Sequence, residues 1–363
     1  MPTLQQNTPR TRAVRRRHRL IFAALLVAVC AVALGAILLE PSDVPASQRL
    51  SAVTVLRIIA VGWAVEQSDI HDYDVHRVLY LRLPRVLLAI TVGAGLAVAG
   101  AIMQSFFQNP MASPYLLGAA SGASLGAAIA FTTGLVTAGA RSVLGMSMQS
   151  CLAFCGAVGV TFLVYGLARR GGRTNTAVLL LTGVAVGTFA GGLTYLVMFM
   201  FSPEDIDQLV QWLMGTLDNR GWHECLVAGF TTIAGVAVVR VFARDLNVML
   251  MGTETAQHLG VHVERTRLVL LVIASLLTAV AVAAVGILGF VGLVVPHIMR
   301  LVVGPDHRVL IPASVLGGAL LVLGADVVVK GVFAEQVPLG ILTTLVGCPF
   351  FILLLTRREK TFI

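Results

Sequence analysis

Residues 289–326 read GFVGLVVPHIMRLVVGPDHRVLIPASVLGGALLVLGAD. Two apolar runs flank one short polar turn, Gly304–Arg308, and a single acidic residue, Asp326, stands at the far end. Neither run alternates apolar with polar residues, so neither is a barrel strand. In hydrocarbon every backbone amide must be satisfied within its own segment, which makes such runs helices. The stretch therefore predicts two membrane crossings joined by a tight turn.

The rest of the chain repeats this pattern. It has 363 residues, of which 57% are hydrophobic and only 12% charged, with a mean hydropathy of +0.89. A water-soluble domain carries roughly twice that charged fraction. Runs near the ~20 residues needed to cross a bilayer recur throughout. Hydropathy predicts ten spans, at about 20–39, 84–106, 115–135, 142–168, 176–200, 222–242, 267–287, 290–303, 309–328 and 338–356. The eighth is short, and the fourth is long enough to include part of a loop. Segment 51–65 reads as an amphipathic helix at the interface. The fold expected is all-α and polytopic.

Orientation follows from the basic residues. Arg15, Arg16, Arg17 and Arg19 precede the first apolar run, which is too long for a signal-peptide core and lacks a small-residue cleavage site. It reads as an uncleaved span behind a cytoplasmic Arg-rich tail, 1–19, with a second cytoplasmic tail at 357–363. With both termini inside, Arg49, Arg57, Arg77, Arg82, Arg85, Arg141, Arg220 and Lys330 fall outside, and the remaining 18 of the 26 Lys and Arg fall inside. The tail orients the chain, and nucleic acid is not an expected partner. The outer charges at Arg77, Arg82 and Arg85 run against the rule and ask for a reason.

Glycines mark close packing. Gly118, Gly122 and Gly126 are spaced by four, as are Gly183, Gly187 and Gly191, and such spacing gives a helix a smooth face. The first set reads as packing; the second either packs or borders a translocation pathway. Cys151 and Cys155 lie one helical turn apart without a His or carboxylate beside them, so they read as packing residues rather than a metal pair. His71 and His76 with Asp72, Tyr73 and Asp74 read as a solvated loop. No span carries a charge near its middle, which counts against an ion-coupled secondary transporter. No phosphate loop of the G-x-x-x-x-G-K-[ST] type is present, and no His, Asp or Ser constellation suggests an enzyme. The energy source is expected on another chain.

Four blocks then carry a resemblance: LRLPRVLLAITVGAGLAVAGAIMQSFFQNPMASPYLLGAASGASLGA (81–127), MGTETAQHLGV (251–261), GILGFVGLVVPHIMRLVVGPDHR (286–308) and VPLGILTTLVGCPFF (337–351). In this order they resemble the permeases of iron-siderophore, haem and cobalamin ABC importers, over about residues 50–356. The resemblance implies a type II importer permease fold within a permease domain at 20–356, in the cytoplasmic membrane of a bacterium. It also implies a second permease copy or paralogue, two cytoplasmic ATPases and an extracytoplasmic substrate-binding protein. This chain itself would bind no cofactor, ATP and Mg belonging to the partner ATPase.

The same resemblance assigns residues. In the loop at about 243–266, Glu254, Ala256, Leu259 and Gly260 match the segment that docks on the ATPase. Physically, Thr253 can cap a short helix there and Gly260 can end it. Arg82, Arg85 and Lys330 match the outer cations that meet acidic residues of the binding protein, although Lys replaces the expected Arg at the third position. Arg169–Thr176 resembles the inner gate, with Thr174, Asn175 and Thr176 the pathway residues; Thr174 can equally be a plain N-cap. Trp212, Leu213, Met214 and Gly215 match an outer re-entrant turn. An iron chelate is the expected cargo, with haem and cobalamin as alternatives.

Overall fold

The computed structural model describes residues 9–40, 45, 49–61, 72–133, 147–170, 173–200, 203–218, 220–333 and 336–358. Over these the chain is a bundle of α-helices in the order α1 (Pro9–Leu38), α2 (Ala52–Val61), α3 (Asp72–His76), α4 (Leu83–Phe106), α5 (Ala119–Thr132), α6 (Met148–Ala168), α7 (Thr176–Met198) and α8 (Pro203–Leu213). There follow α9 (Trp222–Val241), α10 (Ala243–Met249), α11 (Thr253–His258), α12 (Val263–Val285), α13 (Val291–Val303), α14 (His307–Phe333) and α15 (Leu339–Arg358). A π-turn, Arg77–Arg82, leads into α4, and a 3-10 turn, Pro114–Leu117, precedes α5.

Among the described residues, seven helices are long and apolar enough to cross a membrane, and three shorter apolar helices, Ala119–Thr132, Val291–Val303 and Leu339–Leu353, accompany them. Each of the ten expected spans is thus met by an apolar helix. Of the interfacial segment 51–65, α2 covers the first part, and 62–71, including His71, lies outside the described residues. His76 stacks on Tyr80 with ring centroids 5.1 Å apart.

The core is organised around α4, in which every residue from Val92 to Phe106 is buried. It packs against α9, α12, α13 and α14. Small residues set these distances. A Cβ placed on Gly100 would lie 1.6 Å from the Gly292 carbonyl oxygen, and one on Gly93 would lie 2.2 Å from that of Gly318. Without water to expel, helices in lipid gain from such backbone approach through dispersion. The first glycine set does the same between α5 and α6: a Cβ at Gly122 or Gly126 would meet the Gly156 or Leu152 carbonyl.

The opening stretch folds as read, as α13, a turn and α14. The link into it is less regular. Gly286 (φ 78°) ends α12, and Phe290 starts α13 at φ 63°, a left-handed conformation unusual for a bulky side chain. Phe290 is held there against Gly347 and edge-on to Phe351 of α15.

Candidate functional site

Three regions carry polar chemistry. The first is the α10–α11 hairpin, at the end of the bundle where α4 and α9 finish and α14 begins. Met249, Ala256 and Val263 form a small core of their own. Gly260 (φ 83°) ends α11, with the Val261 N–H donating to Ala256 O and the Gly260 N–H to Gln257 O. This pair of bonds is the Schellman closure, which favours glycine at the left-handed position. The cap at the other end differs from expectation. Gly252 is the N-cap, and Thr253 is the first helical residue, its hydroxyl accepting from Arg267 at 3.3 Å.

Of the four docking residues, Glu254, Leu259 and Gly260 are exposed, whereas Ala256 is fully buried beneath the helix. Ala256 therefore shapes the hairpin and offers no surface to a partner. Met251 and Leu259, 68% and 59% exposed, give the hairpin an apolar tip.

The hairpin is wired to the core. Gln108 donates to Met249 O at 2.9 Å. Asn247 Oδ1 accepts from the His307 backbone N–H at 2.8 Å and faces His307 Nδ1 at 2.7 Å, while its amide donates to Asp306 at 2.6 Å. The other ring nitrogen of His307 meets Ser105 Oγ at 2.5 Å. One buried imidazole so joins α10, α14 and α4.

At the same end, Arg169–Arg170 and Arg173–Thr174 pair as a two-residue antiparallel ladder, Arg169 opposite Thr174. The N-cap of α7 is Asn175, one residue beyond Thr174; its Oδ1 accepts from the N–H groups of Ala177 and Val178. Thr176 begins the helix, and the side chain of Thr174 is outside the described set. In α7 the glycines divide. Gly183 and Gly187 are buried against the 3-10 turn and the start of α5, where a Cβ on Gly183 would lie 2.2 Å from Leu116 O. Nothing lies within 4 Å of a Cβ on Gly191. The pathway reading is corrected for the first two, whose face is occupied by the chain itself.

The opposite end of the bundle holds the cations expected to meet a binding protein, and here the structure corrects the reading. Arg82, Arg85 and Lys330 are only 7%, 9% and 3% exposed. Glu40, just after α1, accepts from Arg77 at 2.5 Å and also from Arg82, with the Leu50 N–H at 3.2 Å. Arg85 gives Asp326 two hydrogen bonds, 2.9 and 2.7 Å, and reaches Asp218 at 2.5 Å. Lys330 Nζ lies 3.5 Å from the second Asp326 oxygen, an ion pair too long for a strong hydrogen bond. Removing charges from water costs several kcal/mol per ion, so each must be met inside the protein. The three cations are therefore internal counter-ions and do not form an exposed docking patch.

Beside this ion cluster lies a polar recess of about 570 Å³. Its wall includes Gln149 (α6), Gln208, Gln211 and Trp212 (α8), Arg220 and Gln336, with Asp218 at its edge. Thr216 donates to Asp218 at 2.6 Å, and the Gly221 N–H donates to Glu224 at 3.1 Å. Burial pushes the Arg220 guanidinium below its ordinary value, against the pull of Glu224 and Asp218. The backbone of Met214–Thr216 crosses this end, with Thr216 N–H on Val285 O and Gly340 N–H on Met214 O. Gln149 Nε2, Trp212 Nε1 and Arg220 Nε are buried and have no hydrogen-bond partner among the described residues. Each such orphan costs about 1–3 kcal/mol. Trp212 belongs to the re-entrant motif; the glutamines come from three separate segments, α6, α8 and the turn before α15, and only Gln208 and Gln211 share a helix. Among the described residues no group of three or more His, Cys, Asp or Glu is placed to hold a metal ion.

Comparison with known proteins follows the same lines. The sequence model of the FecCD transport family matches residues 23–357. The chain is 47% identical over 279 residues to the cobalamin import system permease protein BtuC of Halobacterium salinarum, covering 77% of this chain and 73% of the other. It is 38% identical over 297 residues to the hemin transport system permease protein HmuU of Yersinia pestis, covering 81% and 87%. To the Fe(3+)-citrate import system permease protein YfmD of Bacillus subtilis it is 36% identical over 283 residues, 77% and 81% of the two chains. A solved structure of an inward-facing ABC transporter, assigned to the metal-chelate type, superposes with a TM-score of 0.77 at 25% identity over 93% of this chain and 99% of the other.

Proposed function

The chain belongs to the FecCD transport family, the permeases of ABC importers, and from that premise we propose that it passes a metal chelate across the cytoplasmic membrane of a bacterium. An iron chelate such as a ferric siderophore is the cargo proposed, and cobalamin or haem is the second reading, favoured by the named relatives. Both termini would lie on the cytoplasmic side.

One observation carries the mechanism: a capped helical hairpin with an apolar tip, hydrogen-bonded into the helices it must move. An ATPase seated over Glu254, Met251 and Leu259 would cover that tip. Closure of the ATPase pair would push α10, and Asn247, His307 and Ser105 would carry the displacement into α14 and α4. Two-state repacking of helices, rather than any bond chemistry in this chain, would expose the pathway to alternate sides. A second permease copy or paralogue would form the other wall, for which the exposed apolar face of α7, Leu181, Val184 and Phe189, is available. A binding protein would dock at the opposite end, where Arg57 of α2 is exposed; Arg82, Arg85 and Lys330 would support that surface from beneath.

Uptake into vesicles tests this directly. Labelled ferric siderophore, haem and cobalamin are supplied with the ATPase and binding protein added or omitted. Uptake of one cargo that requires both partners and internal ATP is the expected result. Uptake by this chain alone, abolished by an ionophore, would make it a secondary transporter.

A further inference from the structure

The wall of the outer recess has an unusual chemistry for a chain so apolar. Four primary carboxamides line it, those of Gln149, Gln208, Gln211 and Gln336. Each offers two donors and one acceptor. Trp212 adds a donor only. The two ionic groups, Asp218 and Arg220, have opposite sign, so among the described residues the wall has no net charge. Two of its donors, Gln149 Nε2 and Trp212 Nε1, belong to residues only 8% and 3% exposed and have no partner among the described residues. The volume, about 570 Å³, falls in the range of small-molecule sites.

We propose that this recess is a contact site for cargo and that it selects uncharged, amide-bearing metal chelates. The proposal rests on the importer reading and narrows its substrate class. A ligand matching this wall must supply acceptors to the exposed amides of Gln208, Gln211 and Gln336 and donors to their carbonyls, and an amide does both. A polycarboxylate supplies acceptors only, and would meet Asp218 without a surplus cation to balance it. A flat apolar macrocycle would cover the glutamines and leave their hydrogen bonds unmade. Large chelates with amides around their rim would enter by one edge. The recess opens at the end of the bundle away from the α10–α11 hairpin, so cargo would meet it before crossing.

Equilibrium binding to the complete permease–ATPase complex in lipid nanodiscs tests the site. The probes are cyanocobalamin and a neutral ferric trihydroxamate built on a cyclic peptide, which carry uncoordinated amide groups, against ferric citrate and haemin, which carry carboxylates. At least one amide probe should bind more tightly than both carboxylate probes. The double variant Gln208→Ala/Gln211→Ala, made at two exposed positions of α8, should raise the Kd of that probe about tenfold. Gln211→Arg should improve ferric citrate binding, a gain that misfolding cannot produce. Unchanged affinity in the double variant, tighter binding of ferric citrate or haemin, or no binding by any probe would overturn the proposal. Uptake dependent on ATP and binding protein, measured on the same wild-type preparation with all four probes, judges the importer reading separately.

Discussion

Replacing Asp326 with Ala isolates the buried ion cluster. Its carboxylate is 1% exposed and serves two cations at once, Arg85 at 2.7 Å and Lys330 at 3.5 Å. At an effective dielectric near 20 these attractions are about 6 and 5 kcal/mol. Part is offset because the carboxylate no longer loses its hydration, and because Arg85 keeps Asp218 at 2.5 Å. The expected net loss is the roughly 3–5 kcal/mol typical of breaking a buried pair from one side. Unfolding in mixed micelles, followed by tryptophan fluorescence, would measure it. Removing both charges with Asp326→Leu/Lys330→Met should restore at least about 2 kcal/mol, since a well-packed apolar pair replaces a buried ion pair with little loss. Restoration is incomplete because Arg85 still loses two hydrogen bonds. A single-variant loss under about 1 kcal/mol, or a double variant no better than the single, would refute the reasoning. The double variant also addresses docking: if Lys330 only balances internal charge, Asp326→Leu/Lys330→Met leaves the salt dependence of binding-protein association unchanged.

The hairpin makes three further predictions. Leu259→Asp should abolish co-purification of the ATPase while the permease remains folded, because it charges only the exposed tip. Ala256→Leu should destabilise the hairpin by about 1–3 kcal/mol through overpacking, which hydrogen exchange of residues 249–263 would report. Asn247→Ala removes the acceptor shared by the His307 backbone N–H and ring, so we expect a loss of about 1–3 kcal/mol and ATP hydrolysis poorly coupled to uptake. Gly100→Ala should prevent accumulation of folded protein, since its Cβ would fall on the Gly292 carbonyl; Gly159→Ala, with nothing within 4 Å, should be silent in the same expression and thermal-stability assay.

Hydropathy located the crossings because burial in lipid acts on each run by itself. Even the short eighth span, α13, was legible from its hydropathy. What failed to read were relations between distant residues. Arg85 is 241 positions from Asp326, and Arg82 is 42 from Glu40. Taken singly each cation looks like surface charge; the fold brings Glu40, Asp218 and Asp326 to the same end of the bundle, where each cation has a counter-ion. The caps slipped by one residue, Gly252 for Thr253 and Asn175 for Thr174, because neighbouring residues were all competent to cap and only backbone angles choose among them. The glutamine recess had only a fragment of local pattern, Gln208 and Gln211 one turn apart on α8, and is otherwise assembled from separate segments by the fold.

The shortness of α13 bears on how the protein is made. At 13 residues and 1.5 Å per residue it is about 20 Å long, well under the ~30 Å of a hydrocarbon core. During synthesis it cannot partition into lipid alone without leaving its ends unsatisfied at depth. The finished protein braces the N-terminal side of this segment from its neighbours: the Gln104 amide donates to Leu293 O, and the Tyr115 hydroxyl donates to Leu288 O just upstream. Both donors lie on parts of the chain that are translated first. Stable insertion of residues 289–326 is therefore expected to depend on α4 and the turn that follows it being in place first.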